Sequence, residues 1–304
     1  MGVAMAVDVG GTKAEAALVR DDGSIVEGTR SRVPTGASAD AATLRGAIDE
    51  LVRTCAASPE WTEVTAAGIG SAGPVDLPTG AISPINMTDV RDFGIVDAIR
   101  ASSGLADVVL RLDGTCIALA ELWLGAARGI RNAIVIVVST GVGGGIVSDG
   151  RLVAGRSGNA GHVGQVVIQQ VEASPAAATV EGIASGPHTV AWAQERGWPG
   201  VTGEDLAAAY RAGDPVATAA VARSAGAVGV GLLDAATLLD LELAVIGGGF
   251  SFVADDYPAQ VEAAIRAAAV NGYAGRMRVV RAELGGDAPL VGAAALVHRR
   301  DLLG

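Results

Sequence analysis

Three glycine-rich turns follow apolar stretches of the sequence, and each could bind phosphate. They are residues 8–13 (Asp-Val-Gly-Gly-Thr-Lys), 139–145 (Ser-Thr-Gly-Val-Gly-Gly-Gly) and 247–249. Glycine lets an anion approach the backbone and lets successive N–H groups converge on it, and the hydroxyls of Thr12 and Thr140 add donors. A tight hairpin would explain any one of these turns, but three of them favour phosphate binding. None fits a dinucleotide fingerprint or a P-loop.

Two aspartates adjoin these elements. Asp8 ends the first apolar stretch beside the first turn, where it could hold Mg²⁺ through water or cap the N–H groups of the turn. Asp113 lies between an apolar stretch and a helical pattern. It could be a helix N-cap, or the general base that accepts a hydroxyl proton in phosphoryl transfer.

The elements that must position these residues alternate between strands and helices. Strand, glycine turn, strand and Asp-Gly hairpin occur in this order twice, which indicates an internal duplication of about 130 residues. We predict an α/β protein with two similar halves. Strands are predicted over 3–9, 14–20, 24–28, 64–70, 108–112, 133–138, 243–246 and 277–281, and helices over 39–57, 95–103, 115–127, 258–270 and 290–299.

Composition excludes several classes of protein. The chain has 304 residues, 50% of them hydrophobic, so it is not a disordered chain. Its net charge of −11 disfavours a basic nucleic-acid-binding face, and two cysteines exclude a disulfide framework. We find neither a signal peptide pattern nor an uninterrupted apolar membrane span, and we expect a cytoplasmic protein that binds neither membrane nor nucleic acid.

Taken together, these motifs resemble the ROK family of sugar kinases, a branch of the actin/hexokinase/Hsp70 ATPase superfamily. The resemblance covers nearly the whole chain. It implies two actin-like (ribonuclease H-like) lobes with the active site in the cleft between them, residues 1–114 plus 290–304 and residues 115–289, and we expect a homodimer. The matching segments are 8–13, 139–145, 158–165, 245–251 and 290–295.

The resemblance also implies roles for single residues. The first two turns would hold the phosphates of ATP, with Mg²⁺ near Asp8, the third turn would lie near the adenosine, and Asp113 would be the catalytic base. The residues expected to bind the nucleotide are Asp8, Gly10, Gly11, Thr12, Lys13, Thr140, Gly141, Gly143, Gly248 and Gly249. Those expected at the sugar are Gly73, Asn86, Asp113, His162 and Glu181.

The chain departs from the family pattern at several of these positions. His162 replaces a glutamate, Gln165 replaces a metal-binding histidine, and Leu112 replaces an asparagine that contacts the sugar. Residues 169–178, in place of the family's cysteine-rich zinc loop, contain no cysteine. We therefore expect no zinc, and an altered hydroxyl pattern in the substrate, although drift in a site that still takes glucose is an alternative.

The expected function is ATP-dependent phosphorylation of a hydroxyl group, by resemblance the primary hydroxymethyl, on a hexose or hexose-like polyol. A cyclitol or pseudo-sugar of secondary metabolism is an alternative acceptor. A non-catalytic sugar-binding or regulatory protein of the ROK type is an alternative of another class. A ROK repressor would need an N-terminal helix-turn-helix, for which the strand predicted from Val3 leaves no room.

Overall fold

The computed structural model describes residues 2–169 and 174–304. Its strands are β1 (Val3–Val9), β2 (Lys13–Arg20), β3 (Ser31–Pro34), β4 (Val64–Ser71), β5 (Val75–Asp76), β6 (Ala81–Ile82), β7 (Asp107–Leu112), β8 (Ala133–Val138), β9 (Val142–Ser148), β10 (Arg151–Leu152), β11 (Leu243–Gly247) and β12 (Arg278–Arg281). Its helices are α1 (Ala41–Ala56), α2 (Ile95–Ser103), α3 (Asp113–Leu124), α4 (Val180–Ala184), α5 (Gly186–Gln194), α6 (Gly203–Arg211), α7 (Pro215–Leu239), α8 (Tyr257–Ala268) and α9 (Ala288–His298).

The first compact unit comprises residues 2–128, 151–160 and 286–304. Its sheet has the order β3-β2-β1-β4-β7, with β1 antiparallel to β2 and parallel to β4. The apolar run of β1 is buried because α9 packs on β1 and β4, while other side chains of β1 share a hydrophobic cluster with α1 and α2. Asp40 caps α1 by accepting a hydrogen bond from the Thr43 N–H (2.8 Å).

The second unit comprises residues 129–150 and 161–285. Within it the strand order β9-β8-β11-β12 repeats β2-β1-β4-β7 of the first unit, with the same antiparallel and then parallel pairings. The predicted duplication is therefore present in the strand topology of both units. The mixed α/β class predicted from the sequence is confirmed.

Helix α7 forms much of the core of the second unit. By length and composition alone α7 could cross a membrane. However, 56% of its most apolar 18-residue stretch is buried inside the protein, and the helix packs against α8, α4 and α5. This is typical of a core helix and is weak evidence for a membrane span.

Several elements differ from those predicted, most clearly residues 24–28 and α3, which covers Asp113–Leu124 instead of 115–127. Residues 24–28 form a single bridge, between Val19 and Ile25, because the Thr29 hydroxyl and N–H both donate to the Val26 carbonyl and turn the chain. The next strand is β3. The first unit extends to Arg128 rather than to residue 114, because α3 packs on α9.

Candidate active site

The first glycine turn is fixed through its carbonyl groups. The Gly10 N–H donates to the Lys13 carbonyl (2.9 Å), and Thr35 donates from its hydroxyl to Gly10 O (3.0 Å) and from its N–H to Thr12 O (3.1 Å). Within the described part of the chain nothing accepts from the N–H groups of Gly11 or Thr12, which are therefore available to an anion. Sequence reasoning missed Thr35, whose only signal is its place directly after β3.

Asp8 and Asp113 form a carboxylate pair in the first unit. Burial, followed by the negative charge of Asp113, raises the pKa of Asp8 from 3.8 to about 7. The described residues give the Asp8 carboxylate no hydrogen bond, so it does not cap the turn. A carboxylate without a protein donor, beside a second carboxylate, fits the oxygen-donor preference of Mg²⁺.

Asp113 is the first residue of α3 and is not its N-cap. The N-cap position belongs to Leu112, and the Asp113 carboxylate accepts a hydrogen bond from the Gly114 N–H (2.6 Å). Leu112 is 2% exposed and packs in the hydrophobic core of the first unit. The side chain at this departure from the family pattern is therefore a core residue.

Lys13 belongs to a charged cluster that the sequence analysis missed. Glu15, only 3% exposed, pairs with Lys13 (2.9 Å), with Arg32 (2.9 Å) and with Arg30. Burial alone would raise the pKa of Glu15, but hydrogen bonds from these three cations outweigh it and hold the pKa below its usual range. The positive charge of Lys13 also lowers the pKa of Asp8. The available signal was the presence of Lys13 and Glu15 on β2 and of Arg32 on β3, where Glu15 and Arg32 are cross-strand partners.

The two loops expected at the sugar lie together in the first unit. The Ile85 N–H donates to the Gly73 carbonyl (3.1 Å), which joins the Gly73 loop to the segment carrying Asn86. The Asn86 amide packs against the first glycine turn, since a Cβ added to Gly11 would lie 2.2 Å from Asn86 Nδ2. Asn86 is thus beside the proposed phosphate site.

In the second unit, Glu181 lies against the second glycine turn. Its carboxylate accepts one hydrogen bond from the Val142 N–H (2.8 Å) and another from Gln165 Nε2 (3.1 Å). The turn itself is closed by a bond from the Ser139 N–H to Gly141 O (2.9 Å). Gln165, at the position where the family pattern has a metal-binding histidine, therefore holds the Glu181 carboxylate by a hydrogen bond.

His162 is in the same turn as Gln165, whose N–H donates to the His162 carbonyl (3.0 Å). Across residues 2–169 and 174–304 no cluster of three or more His, Cys, Asp or Glu suited to a metal ion is found. Residues 170–173 of the expected cysteine-free segment lie outside the described residues. His188 pairs with the Ser185 hydroxyl and His298 with the Val19 carbonyl, both in structural contacts.

A cavity of about 750 Å³ lies in the second unit between the second and third glycine turns. Gly248 adopts a φ of 90°, and a Cβ there would lie 2.5 Å from the Val138 carbonyl, so the third turn requires glycine at this position. The cavity walls come from both turns and from α5 and α6. They are Ser139, Thr140, Gly186, Pro187, Val190, Ala191, Gln194, Val201, Thr202, Gly203, Glu204, Ala207, Arg211, Gly249, Phe250, Phe252 and Val253.

Comparison with known proteins places these features in context. A model of the ROK family matches residues 4–300. The glucokinase of Streptomyces coelicolor is 30% identical over 99% of each chain, and the N-acetylmannosamine kinase of Yersinia pseudotuberculosis is 33% identical over 82% of this chain and 83% of its own. A ROK glucokinase from Streptomyces griseus, solved with glucose and AMPPNP, superposes with a TM-score of 0.83 at 30% identity, covering 98% of this chain and 100% of that one.

Proposed function

The chain belongs to the ROK family, and on that premise we propose that it is a sugar kinase that transfers the γ-phosphoryl group of ATP to a hydroxyl of a hexose or hexose-like polyol. The observation that carries the proposal is the arrangement in the first unit. There the Asp8–Asp113 carboxylate pair adjoins a turn whose Gly11 and Thr12 N–H groups are available to an anion.

The second unit supplies the proposed nucleotide site. A cavity of about 750 Å³ is within the range of small-molecule sites, and its walls include Thr140 and Gly249 from two glycine turns. Backbone amides of such turns suit the phosphates, and the mixed apolar and polar wall formed by α5 and α6 suits an adenosine. The glucokinase solved with AMPPNP supports ATP as the donor.

Asp8 is the residue proposed to hold Mg²⁺. When bound, Mg²⁺ neutralises charge on the phosphates. Asp8 is suited to this role because its carboxylate lacks a protein donor and its raised pKa shows that the site disfavours an uncompensated negative charge. Lys13 contributes positive charge nearby while remaining paired with Glu15.

Asp113 is the proposed general base. Its carboxylate takes the proton of the acceptor hydroxyl as the hydroxyl oxygen forms a bond to the γ-phosphorus. The bond from that phosphorus to the bridging oxygen breaks, and ADP leaves with the electron pair. Gly73, Asn86, His162 and Glu181 are the residues proposed to contact the acceptor.

The proposed acceptor differs from glucose in its hydroxyl pattern. A carboxylate at residue 162 would accept hydrogen bonds from two hydroxyls, whereas an imidazole offers one donor and one acceptor when neutral. Gln165 occupies one oxygen of Glu181, which limits the hydroxyls that this carboxylate can accept. A cyclitol, which lacks an ordinary anomeric centre, is the alternative acceptor.

The test is ADP release from ATP and Mg²⁺ with a panel of glucose, N-acetylmannosamine and cyclitols. Asp113→Asn should lower kcat by about 10²–10⁴-fold with the best acceptor while ADP still binds, because the amide cannot accept the proton. Asp97→Asn, at a side chain 78% exposed on α2, is the control and should retain activity. An Asp113→Asn variant with more than half of the wild-type kcat would refute the base assignment. No ADP release with any acceptor would favour the non-catalytic alternative.

A further inference from the structure

We propose that Phe252 stacks on the nucleobase in the second-unit cavity and that Arg281 positions the Phe252 ring for this contact. The inference rests on the proposed nucleotide site. It goes further by assigning the contact with the nucleobase to a side chain that lies outside the three glycine turns.

Phe252 is an exposed aromatic residue in the wall of the cavity. Its side chain is 55% exposed, although it directly follows a buried segment in which Phe250 is 7% exposed and Ser251 is fully buried. An aromatic ring held at the surface of a cavity retains a free π face and apolar edge. Phe250 instead packs edge-on against Tyr257, with the ring centroids 6.4 Å apart, and so belongs to the core.

Arg281, at the end of β12, fixes one side of the Phe252 ring. Its guanidinium carbon lies 4.5 Å from the ring centroid. The same guanidinium donates to the carbonyls of Ser251 (3.0 Å), Ala254 (3.3 Å) and Asp255 (3.1 Å). These bonds tie the segment on both sides of Phe252 to β12, so the ring is held before any ligand arrives.

The chemistry of the remaining face matches a nucleobase. The cation on one side draws electron density from the ring, and a planar heteroaromatic base can then stack on the other side. The two glycine turns proposed to bind phosphate and the aromatic ring line the same cavity, since Gly249 and Thr140 are in its wall with Phe252. A ligand with an anionic end and a flat aromatic end satisfies both features.

Stacking on a phenyl ring depends on the aromatic face and not on hydrogen bonds. Substitutions of Phe252 that remove the aromatic ring should therefore weaken nucleotide binding, and substitutions that keep an aromatic ring should not. Base–aromatic contacts are worth about 5- to 150-fold in affinity when the ring is removed. We therefore expect Phe252→Ala and Phe252→Leu to lose about this much affinity for ADP, and Phe252→Trp to retain the wild-type value. A side chain that only held the loop by apolar packing would be replaced well by leucine.

The experiment is titration calorimetry of the full chain with ADP for these three variants, with Val270→Ala as the control. Val270 is 96% exposed in the same unit and is not in the cavity wall, so its variant should bind like wild type. Arg281→Met, which keeps length without the guanidinium, should weaken ADP binding as well. Thermal unfolding of each variant establishes that it is folded.

The two hypotheses fail in different ways. Wild-type protein that binds no ADP would overturn the proposed nucleotide site and this inference together. Wild-type protein that binds ADP, with Phe252→Leu binding it equally tightly, would overturn this inference alone. The same holds if Phe252→Ala leaves ADP binding unchanged and instead raises the KM of the acceptor, because the ring would then contact the sugar.

Discussion

Replacing Asp8 by asparagine should stabilise the protein in a manner that depends on pH. The pKa of Asp8 rises from 3.8 to about 7 on folding, because burial and Asp113 disfavour its charge. The folded state therefore binds the proton more tightly than the unfolded state does. The resulting contribution to stability is fully present below pH 3.8 and is lost as the pH rises through about 7. Asparagine is neutral and loses nothing over this range.

The size of the effect follows from the two pKa values. With 1.36 kcal/mol per pKa unit, ionisation of Asp8 destabilises the folded wild type by about 1.7 kcal/mol at pH 5 and about 4.3 kcal/mol at pH 8.5, relative to its protonated form. The advantage of Asp8→Asn should thus grow by about 2.6 kcal/mol between these pH values. For a unit of this size this is about 5–10 °C in melting temperature.

Differential scanning calorimetry in EDTA, at pH 5 and pH 8.5, measures this difference. Asp97→Asn controls for the removal of a surface carboxylate, since its side chain is 78% exposed. Adding millimolar Mg²⁺ at pH 8.5 should raise the melting temperature of wild type but not of Asp8→Asn. A melting-temperature advantage of Asp8→Asn that is the same at both pH values would refute the argument that Asp8 is held in an environment hostile to its charge.

Three further outcomes are expected. Elemental analysis of protein purified without chelator should find no zinc, and stoichiometric zinc would contradict the inference from Gln165. His162→Glu should raise kcat/KM for glucose by about 5- to 150-fold, the effect of pairing one buried hydroxyl, and an unchanged value would place His162 away from the acceptor. Gly11→Ala should lower kcat/KM by roughly tenfold or more, because its Cβ would meet Asn86 Nδ2 at 2.2 Å. Asn86→Ala in the same chain should restore part of the loss if that clash is the cause.

Features encoded locally were predicted well from the sequence. The strand before each glycine turn and the repeat of the pattern depend on neighbouring residues, and β1, α2 and β7 lie within one residue of their predicted bounds. The second turn is shorter than predicted, because residues 142–145 pair with β8 as the start of β9. Residues 24–28 show the limit of this approach. Their apolar content favours a strand, but the turn that Thr29 closes on Val26 prevents one.

Contacts between residues distant in sequence could not be predicted. Thr35 fixes Gly10 across 25 residues, and Glu181 reaches Val142 across 39 residues. The pKa of Asp8 is raised first by burial and then by the charge of Asp113, which the parallel pairing of β1, β4 and β7 brings to the same edge of the sheet. Sequence motifs identify Asp8, Asp113 and Glu181 as chemically notable, but they do not show which residues meet.

Each unit, taken by itself, places a proposed acceptor-binding side chain on its own phosphate turn. A Cβ added to Gly11 would meet Asn86 at 2.2 Å, and one added to Gly141 would meet Glu181 at 2.6 Å. The duplicated strand order makes the two turns equivalent, since each connects a pair of antiparallel strands at the same place in its sheet. Asn86 and Glu181 reach these turns from different elements, the segment after β6 and helix α4. On the proposed function, a substitution of Asn86 or Glu181 that changes the preferred acceptor should therefore also disturb a turn proposed to bind phosphate. Acceptor choice and the KM for ATP should change together at these two residues, whereas a residue that contacts only the sugar would change the first alone.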